Sequence, residues 1–342
     1  MARELVQSSR KRPFGPIGFG LRVCAIAANT FLESIRQPIF CIIIYIAMAL
    51  IVISPHITWF TVQNSPKLVT DMGLATVMLA GVLLAAFSAS SVIAEEIENK
   101  TVLTIVAKPV GRTTFILGKF AGVSAGLIAA IYLLSLVLVL TAAGGASEAD
   151  IEQELSLGLV GAVFGAIFLS VCYGVYCNFF RDKPFPSRAV GAAAPLFTII
   201  FLVFAFLDPR EYEWGAFGTG VSVQVIFGCV MILWAVLILA SVAVAASTRL
   251  AAVVNVAACS GVFLLGLLSD FLFKSGFSKD LAVAKVLYRF VPNLQVFWVA
   301  DFISADVNIK FRYVAACGGY ALSLVVAFLF LAMALFQERQ LA

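Results

Sequence analysis

Long apolar runs separated by short polar segments dominate the pattern of the chain. A helix of about 20 apolar residues crosses the hydrocarbon core of a bilayer, whereas the strands of a membrane barrel alternate apolar and polar positions. The runs here do not alternate, and they are too long for strands. Eight of them are long enough to span a membrane: 39–55, 72–94, 119–142, 155–178, 189–207, 222–247, 250–269 and 313–336. The pattern predicts an all-α polytopic membrane protein with about eight transmembrane helices.

A partly apolar segment, GLRVCAIAANTFLESIRQPIF, precedes and enters the first run. Helical spacing gives it an apolar face, made of Leu21, Val23, Ile26, Ala27 and Phe31. Its polar face consists of Arg22, Asn29, Glu33 and Arg36. This arrangement predicts an amphipathic helix in the membrane interface, with Glu33 and Arg36 close enough to pair. The alternative is a polar leader that only holds the first span in place.

The distribution of Lys and Arg predicts which side of the membrane each segment occupies. With both chain ends in the cytoplasm, the inner segments hold fifteen of these residues and the outer segments eight, as the positive-inside rule requires. We therefore divide the chain into a cytoplasmic N-terminus over 1–37, a transmembrane domain over 38–337 and a cytoplasmic tail over 338–342.

The segment 271–312 is apolar but contains Lys285, Arg289 and Asp301, and Pro292 breaks it. A charged side chain at the centre of a bilayer costs about 2.5–3.5 kcal/mol. We therefore predict amphipathic helices on the outer surface here, with a re-entrant pair as the alternative.

Composition excludes several classes of function. The chain is 62% hydrophobic and 12% charged, half the charge of an average soluble domain. The net charge of +4 follows the membrane sides, so a nucleic-acid partner is not expected. None of the eight runs has Asp, Glu, Lys or Arg in its interior, which disfavours intramembrane catalysis and proton relay. The single histidine, His56, and the seven cysteines, which lack a CxxC pair, predict no metal site.

One short stretch imitates a nucleotide-binding loop. In GRTTFILGKF six residues separate Gly111 from Gly118, and Phe120 follows the lysine. A phosphate-binding loop needs four residues between the glycines and Ser or Thr after the Lys. We therefore expect no enzyme activity from this chain itself, and any ATPase must be another polypeptide.

Glycines recur every four residues in two of the predicted spans. Gly118, Gly122 and Gly126 lie at the start of the third, and Gly161 and Gly165 lie in the fourth. Small residues at this spacing allow two helix backbones to approach closely. Both rows predict close helix contacts.

The polar stretch between the second and third runs contains three clustered glutamates. If the second helix continues into water, Glu95 and Glu98 lie on one face, and Glu96 precedes Lys100 by four residues, the favourable order for an ion pair. Pro109 then turns the chain. Basic residues alone fit the positive-inside rule, but the glutamates are not needed for topology. A docking surface for a cytoplasmic partner explains both.

We therefore predict an inner coupling elbow over 94–118, in which Thr113 or Thr114 caps the next helix. The residues assigned to the elbow are Glu95, Glu96, Glu98, Lys100, Thr101, Lys108, Pro109 and Arg112. Gly118 and Lys119 anchor it to the third span. Lys119 stands at the end of that span, where its ammonium is expected to reach the lipid headgroups.

At these residues the sequence resembles the permease subunits of ABC-2 type exporters. In that family the second span runs into the pattern E-E-x-E-x-x-T, followed by P-V-x-R and a Gly-Lys pair that opens the third span. The matching residues are Glu95, Glu96, Glu98, Thr101, Pro109, Val110, Arg112, Gly118 and Lys119. The stretches IRQPIF, YRFVPNLQVF and LFQERQL are similar to other parts of the family.

The chain departs from the family at two points. Lys100 stands where the family often has Gly before the Thr, and eight predicted runs exceed the usual six spans. The two extra spans fall between about 148 and 222.

The resemblance implies a half-transporter in the bacterial cytoplasmic (inner) membrane. A second copy of the permease, or a relative, would pair with it among the membrane lipids. Two separate ABC ATPase subunits would dock on the elbows and bind the ATP and Mg, so the permease itself needs no cofactor. A non-transporting scaffold that recruits a cytoplasmic partner through the same elbow is the rival hypothesis. A channel or secondary carrier would instead show ionisable residues or broken helices near the midplane.

Overall fold

The computed structural model describes residues 16–58, 65–94, 111–144, 157–207, 218, 222–272, 291–305 and 307–337. Within these ranges the chain is helical and contains no β-strand. The helices are α1 (Pro16–Arg36), α2 (Pro38–Thr58), α3 (Ser65–Ala89), α4 (Arg112–Gly144), α5 (Leu157–Arg181), α6 (Phe185–Phe206), α7 (Val223–Ser247), α8 (Ala252–Leu267) and α9 (Phe311–Gln337). The all-α polytopic membrane fold predicted from the sequence is confirmed to this extent.

Seven of these helices are long and apolar enough to cross a membrane, namely α2 to α7 and α9. Within the described residues, seven of the eight long runs predicted from the sequence therefore form helices of spanning length. The difference is the run 250–269, whose helix α8 has only 16 residues, about 24 Å at 1.5 Å per residue. The run is long enough by composition, but α8 ends at Leu267, and helical residues resume at 269–272, where this described range ends.

Helix α3 ends, and α4 begins, at one end of the bundle, which we call the elbow end. Gly118, near the start of α4, lies beside Ile26 of α1. Arg112, the first residue of α4, donates a hydrogen bond to the carbonyl of Gln337, the last residue of α9. The N-terminal helix and the end of the last helix therefore both lie at the elbow end.

The segment 252–310 returns the chain from the elbow end to the opposite end. Helices α7 and α9 run side by side in the same direction, since Gln224 accepts a hydrogen bond from the amide of Ile309 and Gly318 lies against Trp234. The chain leaves α7 at the elbow end and enters α9 at the opposite end. Helix α8 covers most of the distance between these two ends of the bundle. An odd number of long helices would otherwise place the two chain ends on opposite sides. With α8 as a further pass, seven long helices are compatible with chain ends on one side.

Part of the predicted outer amphipathic segment is described, as 291–305 and 307–310. It contains a 3₁₀ turn, Gln295–Phe297, and a five-residue helix, Ala300–Ser304. The side chain of Phe297 is fully buried, and Leu294 contacts α8 at Gly266. Residues 292–300 are therefore largely buried among the helices, whereas the part that follows includes the exposed side chains of Phe302 and Val307.

Helices α4 and α7 form the centre of the bundle, where most of their residues are buried. Helix α4 packs against α1, α2, α3 and α7. Its 33 residues make it about 50 Å long, well beyond the roughly 30 Å of a hydrocarbon core. A helix of this length tilts within the bilayer or extends beyond its hydrocarbon core.

Candidate functional site

The predicted elbow lies mostly outside the described residues. Seven of its assigned residues fall there: Glu95, Glu96, Glu98, Lys100, Thr101, Lys108 and Pro109. The structure describes the two ends to which the elbow is joined. On one side, α3 widens into a π-helical turn, Ser90–Ala94, and on the other, α4 begins at Arg112. The candidate site is therefore the set of contacts that hold these two ends.

Helix α4 begins earlier than the sequence indicates. The amide of Phe115 donates to the carbonyl of Gly111 at 3.1 Å, which places Thr113 and Thr114 in the first turn rather than at the cap. The guanidinium of Arg112 donates to the Gln337 carbonyl at 2.8 Å. A free carbonyl at a helix C-terminus is a favourable acceptor for a cation. The end of the elbow is thus tied to the end of the last helix.

Aromatic stacking reinforces this tie. The rings of Phe115 and Phe336 are stacked with their centroids 5.8 Å apart, within the range of favourable aromatic pairs. Both side chains are buried. Arg112 and Phe115 together fix the first turn of α4 against the end of α9.

The first glycine row forms the surface of α4 against which α1 packs, which we call the α1 seat. A β-carbon at Gly118 would lie 2.7 Å from Ile26, and one at Gly122 would lie 2.5 Å from Thr30. Each glycine of the row therefore receives a residue from a matching i, i+4 row of α1, continuing to Ser34 beside Gly126. The predicted close contact is present, and its partner is the N-terminal helix.

The second glycine row makes no such contact among the described residues. Nothing lies within 4 Å of a β-carbon placed at Gly161 or at Gly165. The close helix contact predicted there is therefore absent from the described part of the chain.

The sequence predicts one apolar face on α1, but in the structure its apolar residues lie on two opposite sides. Val23, Ile26 and Ala27 face α4, whereas Leu21 is 67% exposed. Helical spacing places Leu21 and Leu32 on the side opposite the α4 contact. The polar residues lie between these two apolar sides, as expected for a helix that has protein on one side and lipid on the other.

Lys119 does not reach out of the bundle as predicted. Its side chain is only 3% exposed, and its Nζ lies 3.4 Å from Oε2 of Glu33. It also lies 5.8 Å from the centroid of the Phe115 ring, within the range of a cation–π contact. The close approach at Gly118 and Gly122 brings α1 near enough for this pair. Glu33 therefore contacts Lys119, and Arg36 at the end of α1 is exposed.

A hydrogen-bonded network surrounds the π-helical turn that leads into the elbow. Nε2 of Gln37, between α1 and α2, donates to Oγ of Ser91 at 2.6 Å. Nδ2 of Asn255, in α8, donates to Oγ of Ser90 at 2.8 Å. Asn255 is fully buried, and its Oδ1 accepts a hydrogen bond from Sγ of Cys259 at 3.7 Å. Two adjacent serines thus connect the end of α3 to two distant parts of the chain.

The sequence gives little sign of this network. All four residues of the network are uncharged, and Ser90, Ser91 and Asn255 match no motif. The available signal is a pair of serines at the end of an apolar run and a lone Asn inside another. Polar groups in such positions need partners, because unsatisfied groups are costly in lipid.

We expect Ser90→Ala to destabilise the protein by about 0.6–1.7 kcal/mol, the range for hydrogen bonds between membrane helices. The substitution removes the acceptor of the buried Asn255 amide. The double variant Ser90→Ala/Asn255→Leu should regain part of that loss, because it removes both partners. Unfolding in mixed detergent and SDS micelles measures the difference, and equal stability of Ser90→Ala and wild type would contradict it.

The described residues hold no group of three or more His, Cys, Asp or Glu side chains placed to bind a metal ion. All seven cysteines are free, and five of them are buried. The site consists of packing and hydrogen bonds between helix ends, which is an arrangement suited to transmitting movement.

Comparison with protein-family models and with curated proteins finds no match for this chain. The integral membrane class rests on its seven long apolar helices.

Proposed function

We propose that this chain is the permease subunit of an ATP-binding cassette transporter of the ABC-2 type, acting as an exporter. The permease would pair with a second copy or a relative in the bacterial inner membrane, and two copies of a separate ATPase subunit would dock on the two elbows of the pair. The observation that carries the proposal is that both ends of the acidic stretch around Glu95 are attached to neighbouring helices.

The contacts at both ends of the elbow would allow it to transmit movement to the rest of the bundle. At the α4 end, Arg112 bonds to α9 and Lys119 pairs with α1. At the α3 end, Ser90 bonds to α8 and Ser91 bonds to the junction of α1 and α2. A force on the elbow would reach four other helices through short contacts. Packed elements of this kind move as rigid bodies between discrete states, as coupling to an ATPase requires.

The proposal is tested by the double variant Glu95→Lys/Glu98→Lys. We expect it to lose copurification with the ATPase from detergent-solubilised native membranes, because two acidic docking groups become basic. A matched control, Glu148→Lys/Glu152→Lys, makes the same charge change in the loop predicted to lie on the other side of the membrane. Retention of the ATPase by the elbow variant, or its loss in both variants, would refute the docking assignment.

The identity of the copurified protein distinguishes the transporter hypothesis from the scaffold hypothesis. A partner that carries a GxxxxGK[ST] loop and hydrolyses ATP supports the permease. A partner without nucleotide binding, retained through the same glutamates, supports the scaffold instead.

A further inference from the structure

An open groove between α5 and α6 combines apolar walls with one half-buried cationic side chain, Arg188. Its volume is about 600 Å³, within the range of small-molecule sites. It is lined by Leu169, Tyr173, Ser187, Arg188, Gly191, Ala192, Pro195 and Leu196. The groove belongs neither to the elbow nor to its attachments.

Small residues open the groove on the α6 side. Nothing lies within 4 Å of a β-carbon at Gly191, and Ala192 and Pro195 follow on the same wall. On the inner side of the helix pair, by contrast, Gly174 contacts Ala189 and Phe185 closely. The two helices therefore touch along one edge, and the groove lies between them along the other edge.

Arg188 supplies a cation with one unsatisfied hydrogen-bond donor. Its Nε is buried and has no hydrogen-bond acceptor among the described residues. A buried guanidinium group is costly unless an anion or acceptor satisfies it. Planar guanidinium groups match phosphate oxygens well. The unsatisfied atom at the mouth of an apolar groove thus indicates an anionic ligand with an apolar tail.

The position of Arg188 fits a lipid headgroup. It lies in the first turn of α6, directly after the turn 182–184 that joins two spanning helices, and such turns lie at the level of the headgroups. Arg181 and Lys183 stand in the same connection, against a single Asp182. From Arg188 to Leu196 the groove follows α6 for about 12 Å towards the membrane interior. Basic pockets between helices at this level favour anionic lipids.

We propose that this groove binds one anionic glycerophospholipid, with its phosphate on Arg188 and an acyl chain along Gly191, Ala192 and Pro195. The bound lipid would fill the open side of the α5–α6 pair and accept a hydrogen bond from the buried Nε of Arg188. The proposal does not depend on the transport function, because neither the elbow nor an ATPase takes part.

The full-length protein in nanodiscs of equal phosphatidylglycerol and phosphatidylcholine provides the test. Native mass spectrometry after gentle delipidation counts the retained phosphatidylglycerol. We expect Arg188→Gln to lower the affinity for this lipid about tenfold, the loss of one charge-assisted hydrogen bond. Arg181→Gln, an exposed charge in the same turn, is the matched control and should retain it.

Gly191→Leu tests the groove without changing charge. Its side chain enters open space, so the fold should tolerate it while the acyl-chain path is blocked. We expect it to lose the lipid as Arg188→Gln does, with an unchanged elution volume in size-exclusion chromatography. Retention of phosphatidylglycerol by either variant, equal loss in Arg181→Gln, or displacement by water-soluble glycerophosphoglycerol would each overturn the proposal.

Discussion

Replacing Gly122 by leucine is expected to separate α1 from α4 and to destabilise the protein by about 3 kcal/mol or more, the upper range for overpacking. A β-carbon at this position would lie 2.5 Å from Cβ of Thr30 and 2.6 Å from the carbonyl oxygen of Ala27. Because Ala27 contributes a backbone atom, no change of rotamer relieves the clash. The helix α1 must move as a whole, and the pair between Glu33 and Lys119 is lost with it.

Two measurements check this expectation. The midpoint of thermal unfolding in detergent should fall, and protease should cut α1 faster than in the wild-type protein. The matched control is Gly165→Leu, because a side chain there meets nothing within 4 Å among the described residues. Equal midpoints and equal cleavage for Gly122→Leu and Gly165→Leu would show that the α1 seat contributes little.

A second comparison tests whether shape or hydrogen bonding holds α1. The hydroxyls of Thr30 and Ser34 are buried without a hydrogen-bond partner among the described residues. Thr30→Val keeps the shape of the side chain and removes one such hydroxyl, so it should leave stability unchanged or slightly increased. The contact would then depend on the glycine row alone.

The glycine rows illustrate what sequence spacing predicts and what it leaves open. Spacing of four residues predicts a shallow groove on a helix, and this was correct for Gly122 and its neighbours. It does not identify the helix that fills the groove, which here is α1, nor whether any helix fills it. Gly161 and Gly165 have the same spacing but no neighbour in the described chain. Local pattern determines the shape of a surface, whereas its occupant depends on the packing of the whole bundle.

The all-α membrane class could be predicted because it depends only on the length and polarity of each run. The length of each helix could not, because the run 250–269 is apolar throughout, yet its helix α8 ends at Leu267. The network around Asn255 was also beyond prediction, since Ser90 lies 165 positions away in sequence. Pairings at such separation follow from tertiary packing, which leaves no local periodicity. The glutamates of the elbow remain a prediction, because they lie outside the described residues.

The pair between Glu33 and Lys119 is the least predictable contact, since each residue has an ordinary explanation on its own. Glu33 belongs to the polar side of α1, and Lys119 stands at the end of an apolar run. Their meeting requires the close approach of α1 and α4 at Gly118 and Gly122. The part of the cost of burying the Lys119 ammonium that Glu33 offsets is therefore recovered when α1 packs against α4. This makes the position of α1 responsive to the charge of a residue next to the elbow.

Removing the charge of Glu33 and removing the charge of Lys119 should lower the stability of the protein by different amounts. Glu33→Gln leaves the buried ammonium without its carboxylate. We expect a loss of about 1–3 kcal/mol, below the roughly 3–5 kcal/mol of a fully buried pair, because the Glu33 side chain is 37% exposed. Lys119→Met removes the buried charge and preserves most of the volume, so its cost should stay below about 1.5 kcal/mol.

The double variant Glu33→Gln/Lys119→Met separates the charge from the packing. We expect its stability to resemble that of Lys119→Met, since no buried cation remains to be compensated. Unfolding of the four proteins in mixed micelles of dodecyl maltoside and SDS gives the double-mutant cycle. If Glu33→Gln lowers stability by the same amount whether or not Lys119 is present, the two residues do not interact. The first turns of α4 would then hold α1 through the glycine row only, and a charge change at the elbow would leave α1 in place.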